Sequence, residues 1–255
     1  VAEGPWDGME TDIQQLRDGA WVLHHDALTG RVVSAGPAKP ASHLSSTEWR
    51  VARMKARDRR LTDEAPPFLA QLIDASADHT QKTLNIEMKQ PYRGCAPIQR
   101  VVDQLSNGVG HGNWFLTSID RENRKCARRF DRAGYLGLVV IDVQKIAEEQ
   151  QNPYARQVSR HLKRLSLSRQ WLMTLKQQVG APLGIHVDAD TLRENRQLLS
   201  DARALGISVF TYSMISDEHH AEVLADIRSR TQLLPSGAVI DNDPQQFCGR
   251  LERKI

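Results

Sequence analysis

The chain has 255 residues, of which 40% are hydrophobic and 25% are charged, which is the composition of an ordinary globular protein. Lysine and arginine outnumber aspartate and glutamate by only 34 to 31, so the overall charge does not require a polyanionic partner. No apolar run approaches the roughly 20 residues that cross a bilayer, and the scarcity of aromatic residues argues against a base-stacking nucleic-acid surface.

Basic residues cluster locally in two segments. The first contains Arg50, Arg53, Lys55, Arg57, Arg59 and Arg60, and the second contains Arg156, Arg160, Lys163, Arg164 and Arg169. A solvated helix face explains either cluster, and a membrane or RNA surface is the open alternative, because clustered arginines alone are weak evidence. We retain a membrane surface as an alternative partner and expect no nucleic-acid partner.

The three cysteines, Cys95, Cys126 and Cys248, are far apart and form no CxxC pair. This pattern predicts neither a disulfide scaffold nor a zinc knuckle, and it does not separate the cytosol from the periplasm. No secretion signal is visible, but the sequence starts with Val1 rather than methionine, so that absence carries little weight.

Strand-like and helix-like stretches alternate along most of the chain. The predicted strands are Gly8–Gln14, Ala20–His24, Thr83–Lys89, Trp114–Ile119, Leu136–Ile141, Leu183–Val187, Ser208–Ser213 and Ala238–Ile240. The predicted helices are Ala65–Ala77, Pro97–Leu105, Arg121–Ala133, Gln157–Val179, Leu192–Leu205 and Glu218–Ser229. This alternation predicts a mainly parallel sheet, and the length suits an α/β barrel of about 250 residues. Residues 29–60 interrupt the rhythm and are interpreted as an insertion after the second strand.

The first predicted strand places acidic side chains on one face. In Gly8-Met9-Glu10-Thr11-Asp12-Ile13, the side chains of Glu10 and Asp12 point to the same side, opposite to their apolar neighbours. Two buried carboxylates repel each other and therefore need protons or a cation. Mg²⁺ or Ca²⁺ suits oxygen ligands better than zinc does. The alternative is a solvated edge strand in which the two carboxylates have no function.

The next two strands add further polar groups. The run Trp21–Asp26 ends in His24-His25-Asp26, and because adjacent strand residues face opposite ways, only one of the two histidines can point into a site as an acid or base. In Leu84–Lys89, Asn85, Glu87 and Lys89 share one face. Glu87 could complete a three-carboxylate metal site, and Lys89 could hold a phosphate oxygen. The alternatives are that the histidines have only structural roles and that Glu87 and Lys89 form an internal ion pair.

Later strands also end in polar residues. His186 and Asp188 share a face, Thr117–Asp120 ends in a hydroxyl and an acid, and Asp241-Asn242-Asp243 closes the last strand. Active sites of α/β barrels lie at the carboxyl ends of the strands, which is where these polar residues are predicted to be.

Taken in order, these motifs resemble those of the glycerophosphodiester phosphodiesterase family. The resemblance rests on Gly8–Asp12, Arg17-Asp18-Gly19, His25-Asp26 with Arg31, Leu84–Lys89, Thr117–Asp120, Gly206–Asp217 and Gly237–Pro244. It implies a single (β/α)8 TIM-barrel domain over residues 1–255. It also implies Glu10, Asp12 and Glu87 as ligands of a divalent metal, and His25 and Lys89 as catalytic residues. Lys89, Tyr212 and His186 are then expected to contact the substrate.

The sequence departs from the family pattern in two places. The family's initial strand, which ends in His-Arg-Gly, and the following Pro-Glu-Asn-Thr segment have no counterpart, so we expect the first barrel strand to lie before residue 1. Asn242 stands where the family has aspartate, and its role is left open.

The function implied by the resemblance is metal-dependent hydrolysis of small glycerophosphodiesters to glycerol 3-phosphate and an alcohol, by acid–base catalysis. A barrel that binds phosphodiesters or lipid head groups without cleaving them is one alternative. A related phosphodiesterase that acts on phosphoinositides or sphingolipids is another.

Overall fold

A computed structural model of the chain describes residues 6–79, 81–92, 94–143 and 165–253. The chain divides into two compact units, Val1–Gly134 and Tyr135–Ile255, and each is described by itself. Among the described residues, no helix is both long enough and apolar enough to cross a membrane.

The main sheet of the first unit contains β1 (Gly8–Gln15), β2 (Trp21–Leu23), β5 (Thr83–Met88) and β6 (Trp114–Ser118). Strand β1 pairs with β2 in antiparallel fashion and with β5 in parallel fashion, and β5 continues parallel to β6. Its helices are α1 (Ser46–Val51), α2 (Leu69–Ser76), α3 (Ala96–Gly108) and α4 (Arg121–Phe130). One face of β1 and β5 is apolar, since Ile13, Ile86 and Met88 are at most 1% exposed.

Residues 29–60 form a small structure of their own between β2 and α2. They contain β3 (Val33–Ser34) and β4 (Arg53–Met54), which pair antiparallel, a 3₁₀ turn at Ala41–His43 and helix α1. Buried side chains from this segment, from β2 and from the residue after β1 form one apolar cluster: Leu16, Val22, Val33, Ala41, Leu44, Trp49 and Ala52. The segment is therefore packed against β1 and β2 through a local hydrophobic core.

The second unit contains a parallel sheet of β7 (Leu136–Val140), β8 (Leu183–Asp188), β9 (Ile207–Tyr212) and β10 (Gly237–Ala238). Its described helices are α5 (Arg169–Val179), α6 (Ala189–Glu194), α7 (Leu198–Leu205), α8 (Asp217–Thr231) and α9 (Pro244–Arg253). Residues 157–164 of the predicted helix Gln157–Val179, and most of the second basic cluster, lie outside the described residues. The prediction is wrong for residues 165–168, because the Ser168 side chain accepts a hydrogen bond from the backbone N–H of Trp171 and starts α5 at Arg169.

The predicted helix Leu192–Leu205 is wrong as a single element, because α6 and α7 replace it. The Asp188 side chain accepts hydrogen bonds from the backbone N–H groups of Asp190 and Thr191 and starts α6 earlier. Asn195 then leaves the helical conformation, with φ −98° and ψ 67°, and its side-chain N–H donates to the carbonyl groups of Leu165 and Thr191. Asparagine competes for backbone hydrogen bonds in this way and often ends helices.

A disulfide joins Cys95, which precedes α3, to Cys126 in α4. The cysteine spacing suggested no disulfide scaffold, and this single bridge is the correction to that interpretation. The spacing misled because the two residues approach only through the packing of α3 on α4, 31 positions apart in the chain. Cys248 is free and exposed.

Candidate active site

Two adjacent parallel strands bring three carboxylates together. The register of β1 and β5 sets Asp12 beside Glu87 and Glu10 beside Asn85. Glu10 projects to the same side as Asp12, because alternate residues of a strand share a face. One carboxylate oxygen from each of Glu10, Asp12 and Glu87 lies within 4.8 Å of the others. The structure therefore groups the three residues that the sequence suggested as metal ligands, and the ligand role itself stays a prediction.

Lys89 provides the counter-charge of this acidic cluster. Its Nζ lies 3.0 Å from Oδ1 of Asp12 and 2.9 Å from Oε1 of Glu87. Burial lowers the pKa of Lys89, but the two carboxylates outweigh that effect and the pKa ends above its ordinary value. Burial raises the pKa of Glu87, and the attraction of Lys89 offsets this only in part. Lys89 thus balances part of the negative charge that Asp12 and Glu87 bring to the site.

The oxygen atoms of this cluster fit a hard divalent cation. Oε1 of Glu87 is buried, and in the metal-free protein it contacts the ammonium of Lys89 at 2.9 Å. Carboxylates grouped as closely as Glu10, Asp12 and Glu87 repel one another, and a divalent cation would remove that repulsion. Mg²⁺ and Ca²⁺ bind through such oxygen ligands. Glu10, Asp12 and Glu87 are therefore the residues that could hold the ion.

The two histidines after β2 lie in different surroundings. His24 is 4% exposed and its ring meets Trp49 edge-on, with 5.7 Å between the ring centroids. Burial lowers the pKa of His24, which favours the neutral ring. The side chain of His25 is 65% exposed, and its positive charge when protonated opposes the rise in the pKa of Glu87. Of the pair, His25 is therefore the one whose ring is open to a ligand.

Asp26 orients the His25 ring. Nδ1 of His25 lies 3.1 Å from Oδ1 of Asp26. Arg31 holds both oxygens of that carboxylate, since its Nε donates to Oδ2 at 2.8 Å and its Nη2 donates to Oδ1 at 2.5 Å. The hydrogen bonds from Arg31 are the main reason that the pKa of Asp26 is lowered. An ionised carboxylate can only accept, so Nδ1 of His25 donates to it and Nε2 remains for proton exchange.

His186 and Tyr212 both lie in the second unit. His186 is 3% exposed and stacks on Phe210, with ring centroids 4.8 Å apart, and burial lowers its pKa to about 3. Tyr212 is half-buried and its hydroxyl donates to the carbonyl of Val140 at 3.0 Å. The burial of His186 leaves little of its surface for a ligand. Contact of either residue with a substrate stays a prediction.

Sequence reasoning missed three amide side chains near the cluster. Gln14 and Asn123 are each 2% exposed, and both bind Gln90, the residue that follows Lys89. For Gln14 a signal existed, since it lies two residues after Asp12 on the same strand face. Nothing in the sequence indicated that Asn123 or Gln90 would be involved, because glutamine and asparagine are mostly exposed residues.

Comparison with known families decides the identity of the chain. The model of the glycerophosphoryl diester phosphodiesterase family matches residues 1–242. The chain belongs to this family. The resemblance drawn from its motifs is thereby confirmed. This member of the glycerophosphoryl diester phosphodiesterase family is a phosphoric diester hydrolase that acts on glycerophosphodiesters.

Solved structures support the assignment at the level of the fold. A phosphodiesterase from Oleispira antarctica, determined with the product sn-glycerol-3-phosphate, has a TM-score of 0.71 and 18% identity and covers 98% of this chain and 87% of its own. A glycerophosphodiester phosphodiesterase from Parabacteroides distasonis has a TM-score of 0.66 and 15% identity, with coverage of 97% and 84%. One from Agrobacterium tumefaciens has a TM-score of 0.62 and 15% identity, with coverage of 95% and 87%.

These neighbours and the family match establish a TIM-barrel-like α/β fold for this glycerophosphoryl diester phosphodiesterase. The fold class expected from the alternation of strands and helices is confirmed to that extent. A search among curated proteins found no match.

Proposed function

We propose that the chain hydrolyses glycerophosphodiesters to glycerol 3-phosphate and an alcohol with a divalent metal ion held by Glu10, Asp12 and Glu87. The observation that carries this proposal is the convergence of the three carboxylates within 4.8 Å, with Lys89 in contact with two of them. The product found in the related Oleispira antarctica phosphodiesterase supports glycerol 3-phosphate as the product here.

The metal is Mg²⁺ or Ca²⁺ in this proposal, because all three donors are carboxylates. When bound, such an ion neutralises charge that develops on the phosphoryl oxygens. Lys89 adds a second positive charge at the same place. Its ammonium has three donors, and the contacts with Asp12 and Glu87 leave capacity for one phosphate oxygen.

His25 transfers the proton. In the neutral ring, Nδ1 donates to Asp26 and Nε2 accepts, so His25 can take a proton from the attacking nucleophile or return one to the leaving alkoxide. Asp26 stabilises the protonated ring that this step produces. The exposure of the His25 side chain gives the substrate access to Nε2.

We further propose that Tyr212 and His186 contact the alcohol side of the substrate. In the same proposal, residues 1–255 form one domain with residues 29–60 as an insertion.

The alternative is a barrel that binds phosphodiesters without cleaving them. It predicts binding of a glycerophosphodiester without release of a product.

The experiment is metal reconstitution. Protein stripped with a chelator and dialysed is assayed for release of glycerol 3-phosphate from glycerophosphocholine, without metal and with added Mg²⁺ or Ca²⁺. Activity that disappears on stripping and returns with one of these ions supports the proposal. Full turnover by the stripped protein, or binding of glycerophosphocholine with no product under any metal, contradicts it.

A further inference from the structure

Gln14 binds the carbonyl groups of the two residues that flank His25. Its Nε2 donates to the carbonyl of His24 at 2.9 Å and to the carbonyl of Asp26 at 2.7 Å. The backbone N–H of His24 also donates to the carbonyl of Asp12 at 2.9 Å. The backbone that carries His25 is therefore held from both sides by the strand that carries Glu10 and Asp12.

The oxygen of the same amide reaches the strand end that carries Lys89. Oε1 of Gln14 accepts from Nε2 of Gln90 at 2.8 Å, and Oε1 of Gln90 accepts from the backbone N–H of Gln15 at 3.3 Å. The Gln14 amide thus uses both donors and its acceptor. At 2% exposure, water does not compete for these bonds, and hydrogen bonds in such surroundings are strong and directional.

Gln90 is itself fixed from its other side. Nδ2 of the buried Asn123 in α4 donates to the carbonyl of Gln90 at 2.7 Å and lies 3.3 Å from the hydroxyl of Ser118. That hydroxyl donates to the carbonyl of Met88 at 2.8 Å. The carbonyl group of Met88 is therefore tied to β6 and that of Gln90 to α4, so Gln90 offers Gln14 a rigid attachment point.

We infer that Gln14 is a positioning residue. It fixes the positions of His25 and Lys89 relative to each other by linking the two chain segments that carry them. The inference rests on the proposed function, in which His25 transfers a proton while Lys89 holds the phosphate. Proton transfer depends steeply on the position of the donor, and a displacement of about 1 Å can lower the rate 100-fold. Gln14 touches no substrate in this scheme and acts through His25.

The test is Gln14→Met, which keeps the length of the side chain and removes its donors and its acceptor. We expect kcat for glycerophosphocholine to fall about 10- to 100-fold, with a much smaller change in KM. Gln15→Met is the matched control: the Gln15 side chain donates only to the carbonyl of Gly19 among the contacts observed, so kcat should stay within about twofold. Gln90→Met removes the same link from its other, more exposed end and should also lower kcat.

A merely structural role is excluded by repeating the substitution in a His25→Ala background. If Gln14 acts through His25, Gln14→Met should change the residual kcat of His25→Ala by less than about twofold. An equal loss in both backgrounds, or normal kcat in both Gln14→Met and Gln90→Met, overturns the inference. If His25→Ala itself has normal kcat, the proposed function fails instead, which separates the two failures.

Discussion

Lys89 Nζ and Glu87 Oε1 lie 2.9 Å apart inside a cluster of three carboxylates. The ammonium supplies positive charge to this cluster in the metal-free protein. The mutual repulsion of carboxylates grouped this closely is the electrostatic reason that this site would attract a divalent ion. Both the catalytic and the stability consequences of this relationship can be measured.

Glu87→Ala should lower turnover of glycerophosphocholine at least about 100-fold, because it removes one of three oxygen ligands and the main partner of Lys89. The measurement is kcat of the purified variant at saturating metal. Glu64→Ala, which removes an exposed carboxylate of the same unit, is the control and should remain fully active. Near-normal activity of Glu87→Ala would remove this residue from the mechanism.

Lys89→Met should destabilise the metal-free protein by about 2 kcal/mol or more, because it leaves Asp12 and Glu87 buried without a counter-charge. Saturating Mg²⁺ or Ca²⁺ should restore much of this loss. The free energy of unfolding is measured in urea with and without metal. Lys125→Met breaks an exposed pair with Glu122 and serves as the control, for which we expect a loss below about 1 kcal/mol. A Lys89→Met defect that metal leaves unchanged would contradict the shared site.

His25→Ala should lower kcat at least about 100-fold, as expected for loss of a general acid or base. His79→Ala removes an exposed histidine of the same unit and should leave kcat unchanged. Both variants should keep the melting temperature of the parent, since neither ring is buried. A fully active His25→Ala enzyme would mean that another group transfers the proton.

Replacing Cys95 and Cys126 together by serine should lower the free energy of unfolding by about 2–4 kcal/mol, because the bridge closes a loop between residues 31 positions apart. Reduction of the parent protein should produce the same loss. Cys248→Ser changes an exposed free thiol and should leave stability unchanged. If the double variant and the parent unfold at the same urea concentration, the bridge contributes no stability.

Acid should destabilise the protein through His186. Burial lowers its pKa from 6.5 to about 3, so the folded protein keeps the ring neutral while the unfolded chain binds a proton below pH 6.5. The stabilising contribution is therefore complete above about pH 6.5 and is lost as the pH falls towards 3. At pH 5 the loss amounts to about 2 kcal/mol.

His186→Gln removes this titrating group. Unfolding in urea at pH 7.5 and pH 5 should show that the variant loses about 2 kcal/mol less than the parent between the two conditions. His79→Gln, at an exposed site, should follow the parent. The same pH dependence in His186→Gln and the parent would show that His186 is not the group responsible.

The strand positions and the faces of their side chains follow from the sequence. Alternation with a period of two placed Glu10 with Asp12 and Glu87 with Lys89 because strand geometry is local, so it needs no knowledge of the partner strand. The order of the motifs was sufficient to recognise the family. Predicted strands agree with the observed ones to within one or two residues. The predicted helix Leu192–Leu205 is interrupted by a side-chain competitor, Asn195, and the helices predicted to include residues 65–68 and 165–168 begin later, at Leu69 and Arg169.

Other features depend on residues far apart in the chain. The tie between Gln14 and Gln90 spans 76 positions, that between Asn123 and Gln90 spans 33, and the disulfide spans 31. Packing likewise decided which of the two histidines stays exposed, since Trp49 from the segment after β2 covers the ring of His24. Local sequence determined which side chains share a face, whereas the register of β1 with β5 and the packing of α4 decided which of them meet. The reason is physical: strand periodicity is a property of neighbouring residues, but a hydrogen bond between distant segments exists only once the whole chain has folded.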